Sequence, residues 1–144
     1  MSKTERAYFR AAKAVSKLSD HPNYKIGAIV VSKHRIISSG YNSDTKTHPL
    51  QKIYNKYRFT DEGNHKCHAE LSALLPLIKS NTDLSNANVY VYREYKNHHL
   101  ACARPCPSCM KLIKDCGIKR IYYSTENGFV REDLKKSKKI EKTY

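Results

Sequence analysis

Apolar and polar positions recur with two periods along this chain. From residue 4 to 18, Ala7, Tyr8, Ala11, Ala14, Val15 and Leu18 fall at helical spacing, so a first helix is predicted, broken by the HPNY stretch at 21–24. The run KIGAIVVSK that follows is β-branched and apolar throughout, the pattern of a buried strand, and RIISSGYN comes about two residues later, completing a hairpin. Residues 43–66 are polar and lack clean periodicity; they predict a long loop with a helical piece around LQKIYNKYRF. HAELSALLPLIKS returns to helical period, with Ala69, Leu71, Ala73, Leu74 and Leu75 on a broad apolar face and Pro76 expected to kink or end it.

The second half alternates. NVYVYRE is a strand, and CPSCMKLIKDCG is a helix whose Cys109, Leu112, Ile113 and Cys116 share a face, with Gly117 placed to end it. IKRIYYS is another strand, ENG a turn, and FVRED either a strand or a short helical start. Strand-helix-strand alternation implies a crossover and parallel neighbours, whereas the first hairpin is antiparallel. The expected fold class is therefore α/β, a three-layer α/β/α sandwich with a mixed central sheet. Helices on both faces explain the nearly continuous IGAIVV. One domain is expected over 1–134, with 135–144 a basic C-terminal tail.

Composition narrows the class. No run approaches the ~20 apolar residues of a membrane span, and the N-terminus reads as an amphipathic helix rather than a signal peptide. No membrane association and a cytoplasmic location are expected. Five cysteines, an odd and unevenly spaced set, do not read as a secreted disulfide scaffold. The formal charge is +14, from 27 Lys and Arg against 13 Asp and Glu, spread over both halves. Such a field attracts polyanions and phosphorylated small molecules without choosing between them, and a merely well-solvated basic surface accounts for it equally well.

The chemistry concentrates in RPCPSC. Cys106 and Cys109 stand at a predicted helix start, where Pro105 and Pro107 are suited and the unpaired N–H groups favour a thiolate. Positions i and i+3 face the same way, so both sulfurs can reach one ion. Alone, a CxxC pair serves redox chemistry, metal binding or plain packing equally well. Residues 68–70 read His-Ala-Glu, again at a helix start. His68 could be a third ligand that leaves one tetrahedral position open, the catalytic rather than the structural zinc arrangement, with Glu70 beside that position as a proton carrier.

His68-x-Glu70 followed by Pro105-Cys106-x-x-Cys109 matches the zinc deaminase signature. From first helix to last strand the chain resembles the cytidine and deoxycytidylate deaminase superfamily. KIGAIVVSKHRIISSGYN, HAELSALL and GIKRIYYS are similar to deoxycytidylate deaminases and their tRNA-adenosine relatives. The resemblance implies a cytidine deaminase-like fold, Zn²⁺ as cofactor, a homo-oligomer, and hydrolysis of cytosine to uracil in a nucleotide, foremost dCMP. Glu70 would protonate the ring nitrogen and the departing ammonia, and Asn42 would bond the sugar. Ala69 and Arg104, beside the two motifs, are further substrate-binding candidates; Lys46, Lys52, Lys56 and Arg58 in the long loop are others for phosphate.

Two features depart from the family: Ser72 stands where deoxycytidylate deaminases carry Asn, and the 43–66 loop is unlike their usual insert. Cytosine or adenine in DNA or RNA is the competing substrate class, fitted by the charge and by Tyr41, Tyr54, Tyr57 and Tyr95 on loops. A non-catalytic zinc module and a thiol-disulfide oxidoreductase are the readings from other classes. Cys67, Cys102, His65, His98 and His99 raise a second, structural zinc site, as some relatives have one near these loops.

Overall fold

A computed structural model describes residues 1–58 and 66–134. The proposed tail at 135–144, together with Phe59 and His65, lies outside the described residues.

Helix α1 spans Lys3–Ser16, opened by a capping box in which Ser2 and Glu5 each satisfy the other's backbone N–H. Strands β1 (Lys25–Ser32) and β2 (Arg35–Tyr41) form the expected hairpin, and the two residues between them, Lys33 and His34, both take positive φ of 51° and 64°. The helical piece of the long loop is α2 (Pro49–Tyr54), followed by a 3₁₀ turn at Asn55–Tyr57. Then come α3 (Ala69–Lys79), β3 (Ala87–Glu94), α4 (Pro107–Asp115), β4 (Arg120–Thr125) and β5 (Gly128–Asp133). The last segment is thus a strand, paired antiparallel with β4 across the ENG turn. Gly117, at φ 85°, ends α4 as its position predicts.

The sheet runs β2-β1-β3-β4-β5, with β3 and β4 parallel and the other pairs antiparallel. Both faces are covered. Ala28, Val30, Val89, Val91 and Ile121 point to the core shared with α3 and α4. Their neighbours Ile29, Val31, Tyr90, Tyr92 and Tyr122 point to α1, where Phe9 and Ala12 pack on them. Tyr90 and Tyr122 lie stacked at 4.2 Å between parallel rings.

Pro76 does not end α3, which runs on to Lys79. Leu71, Leu74 and Leu77 are buried before and after it, so tertiary packing holds the helix, while the proline ring faces solvent.

The start of α3 is seated by Gly40 of β2. A methyl group at position 40 would lie 2.7 Å from both the Ala69 oxygen and the Ser72 carbonyl carbon, and would strike the Ala73 nitrogen. These are backbone atoms and cannot rotate away. Gly40→Ala is therefore expected to cost about 1–3 kcal/mol through overpacking, read as a lower midpoint in thermal denaturation. A variant melting with the wild type would show that α3 can slide on the sheet.

Among the described residues, no helix is long and apolar enough to cross a membrane.

Candidate active site and metal centre

Two helix starts meet at the site. His68 is the N-cap of α3, yet its side chain makes no capping bond, which frees the ring for another task. Its main-chain N–H donates to Gln51 Oε1 at 3.1 Å, and the buried Gln51 amide in turn donates to Asn55 Oδ1 at 2.9 Å. The long loop thereby fixes the backbone from which the imidazole projects. Cys106 is the N-cap of α4 and also makes no side-chain cap; Cys109 lies in its first turn and is almost wholly buried. Ser108, fully buried, places its hydroxyl 3.0 Å from Cys106 Sγ.

His68 Nδ1 stands 3.4 Å from Cys106 Sγ and 3.4 Å from Cys109 Sγ. The three donor atoms all lie within 4.8 Å of one another. A tetrahedral zinc ion with ordinary bonds to nitrogen and sulfur separates such atoms by about 3.5 Å. One ring nitrogen equidistant from two sulfurs is what that geometry demands, and a soft N/S₂ donor set is what zinc takes. The residues present fit the ion, with one position left over.

Electrostatics follow from the same packing. The Cys106 thiol is pulled down to about 3, chiefly because the Cys109 thiol donates to it, with burial opposing and His68 assisting. Cys109 is pushed up by that donation and by burial. For His68, burial disfavours the charge, but the Cys106 bond and the nearby negative groups outweigh it and raise its pKa. Glu70, one position into α3 and 5% exposed, is pushed up to about 7 by burial first and by the Cys106 charge second.

Glu70, His68 and Cys106 line one cavity of about 330 Å³, together with Asn42, Arg93 and Arg104. All of these but Arg93 are residues singled out in the sequence. Asn42 is 5% exposed; its Oδ1 accepts from Ile26 N–H at 2.8 Å and its Nδ2 donates to the Tyr24 carbonyl at 3.2 Å, stitching the loop to β1. Ala69 is wholly buried in the core under α3. Arg104 reaches the cavity but commits Nε and Nη2 to Glu132, both at 2.9 Å, and Glu132 also accepts from the Tyr123 hydroxyl. Among Lys46, Lys52, Lys56 and Arg58, it is Arg58 that lines this cavity. Among the described residues there is one metal-ligating cluster. His98 pairs with Glu94, and Cys102 is exposed, so the suggested second zinc set does not assemble among the described residues.

Arg93 was not singled out from the sequence. The signal for it was present: in VYVYR, Val89 and Val91 face α3 and α4, so alternation puts Arg93 on that face at the strand's end.

Comparison with known proteins agrees with this geometry. The family described as the cytidine and deoxycytidylate deaminase zinc-binding region matches residues 1–125, and the chain belongs to it. The deoxycytidylate deaminases of Pongo abelii and Homo sapiens are each 30% identical over 131 residues, covering 83% of this chain; the chain spans 64% of their length. That of Mycobacterium phage D29 is 32% identical over 127 residues, covering 81% of this chain and 90% of its own. The dCMP deaminase of cyanophage S-TIM5, solved in complex with dCMP and dUMP, superimposes with a TM-score of 0.60 at 27% identity over 85% of this chain and 82% of that one. The cytidine deaminase of Burkholderia pseudomallei, at 18% identity and a TM-score of 0.63, shares the fold over 94% of this chain and 95% of its own.

Proposed function

We propose that this chain is a zinc-dependent hydrolase that deaminates cytosine to uracil in a free nucleotide, dCMP foremost, with His68, Cys106 and Cys109 as ligands and Glu70 as the proton carrier. The observation that carries the reading is the buried Glu70 carboxyl, sharing a cavity with His68 and Cys106, two members of a three-donor cluster of catalytic composition. Zinc held there supplies a Lewis acid that brings the pKa of water to about 7. Glu70, with a pKa raised to about 7, is poised both to accept and to give a proton at neutral pH. It takes one from the attacking water, delivers it to the ring nitrogen N3 as the C4–O bond forms, and carries the next to the exocyclic amine. The C4–N bond then breaks and ammonia leaves.

The remaining residues hold this geometry. Gln51 fixes the main chain of His68, Gly40 lets α3 lie on β2, and Asn42 keeps the loop wall against β1. Relatives named deoxycytidylate deaminase support dCMP, as does the basic cavity rim.

Incubating the zinc-loaded protein with dCMP, CMP, deoxycytidine, cytidine and a cytosine oligonucleotide, while following loss of cytosine absorbance, tests the reading. Fastest turnover is expected for dCMP. No turnover of any mononucleotide with zinc bound would sink it, and turnover of the oligonucleotide alone would transfer the activity to polymers.

A further inference from the structure

The cavity carries several basic side chains, and they are not equivalent. Arg104 spends its fork on Glu132, and Lys66 pairs with Asp44 at 3.2 Å. The charge of Arg58 is felt at His68, beside the chemistry. Arg93 differs from all of these. Its guanidinium carbon sits 4.6 Å from the Tyr24 ring centroid and 5.8 Å from that of Tyr95, so two aromatic faces orient it. Against Tyr24 the His21 ring packs at 4.0 Å, tilted by 30°, and the Tyr95 hydroxyl is anchored on Glu126 at 2.8 Å.

The main chain of Arg93 is equally fixed. Its N–H donates to the fully buried Ser124 hydroxyl at 3.0 Å, and its carbonyl accepts from Ala101 N–H at 3.0 Å. Against this rigidity, its five N–H donors are nearly unused. Nη1 reaches the Cys102 carbonyl at a long 3.4 Å, and Nε is buried with no acceptor among the described residues. Buried polar atoms are almost always partnered. A positioned, charged and orphaned fork asks for an anion with several acceptors, and no carboxylate of the described residues supplies one.

We propose that Arg93, clamped by Tyr24, is the seat for the 5′-phosphate of the substrate and sets the choice of nucleoside monophosphate over nucleoside. The proposal rests on the reading of the cavity as a nucleotide site. The chemistry fits a terminal phosphate: a planar guanidinium grips two of its oxygens side by side. The layout also favours one phosphate over a polymer. A strand needs a track of free cations, whereas here two of the cavity's cations, Arg104 and Lys66, are already paired with Glu132 and Asp44. The seat lines the same cavity as Glu70, so one ligand can present its base to the carboxyl and its phosphate to the fork.

The experiment compares zinc-loaded wild type, Arg93→Gln, Arg93→Lys and Tyr24→Leu. Binding of dUMP and of deoxyuridine is measured by calorimetry, independently of turnover, alongside kinetics on dCMP and deoxycytidine. The wild type is expected to prefer dUMP by roughly 10- to 100-fold, the worth of a charge-assisted pair. Arg93→Gln should erase most of that gap, raising KM for dCMP while leaving kcat/KM for deoxycytidine within about threefold. Arg93→Lys should restore part of it, and Tyr24→Leu should lose part through a loosened fork. A gap that survives Arg93→Gln overturns the proposal, even if dCMP is turned over. A gap that collapses in a protein that deaminates neither substrate supports the seat and defeats the proposed function instead. An oligonucleotide that displaces dUMP and outcompetes it in the wild type, with a steep salt dependence, overturns the monophosphate assignment.

Discussion

Glu70→Gln is expected to lower kcat for dCMP by ~10⁴-fold, at the upper end of what one general acid–base group contributes, because in the proposed reaction this one group moves two protons. Glutamine keeps the shape and a hydrogen-bonding carbonyl but cannot exchange a proton at neutral pH. Glu70 is not among the three gathered donors, so zinc content should stay at one per chain, and KM should change only a few-fold. The melting temperature should hold, since burial already works against the charged form of the native side chain. The measurement is steady-state kinetics paired with metal analysis on the same preparation. A non-catalytic zinc module would behave otherwise: its binding function would be intact in Glu70→Gln. A variant retaining a tenth of the wild-type rate would place the proton carrier elsewhere.

The two motifs were legible because each sits on a helix start, a place that composition marks. Pro105 and Pro107 flank Cys106, and the acid Glu70 opens an apolar run. The hairpin and the parallel pair were legible for a similar reason: short apolar runs separated by clear breaks leave few pairings. What escaped depended on contacts between distant segments. Arg104 reads as a free cation beside the motif until β5 is seen to bring Glu132 against it from 28 positions away. Asn42 reads as a sugar contact, and only the register of β1 reveals that its amide also holds a backbone group at each end. Gln51 looks like one more polar loop residue, yet it is 1% exposed and fixes His68. Arg93 lay in an ordinary strand pattern. Its meaning depends on where the core ends, because two positions earlier the same face is occupied by fully buried Val91.

Removing the metal is expected to have the second large effect, on the fold as well as on activity. His68 and the cysteine pair lie 38 and 41 positions apart and stand at the starts of different helices. An ion shared by them would tie the first turn of α3 to that of α4, stabilising the native state but not an unfolded chain in which the ligands are scattered. At free zinc 1,000-fold above the dissociation constant, that linkage is worth about 4 kcal/mol. For a chain of this size each kcal/mol moves the midpoint by about 4 °C, so chelation should lower it by roughly 15 °C, with recovery on adding zinc back. Cys106→Ser is the sharper variant, because Cys106 is only partly buried and its serine isostere leaves little to repack. It should lose zinc and deaminase activity together and should no longer shift on chelation. Scanning calorimetry of both proteins with and without chelator, alongside metal analysis, reads all of this. A thiol-disulfide oxidoreductase would give the opposite pattern: the wild type would melt identically with and without chelator, and Cys106 and Cys109 would cycle between thiol and disulfide in the absence of metal.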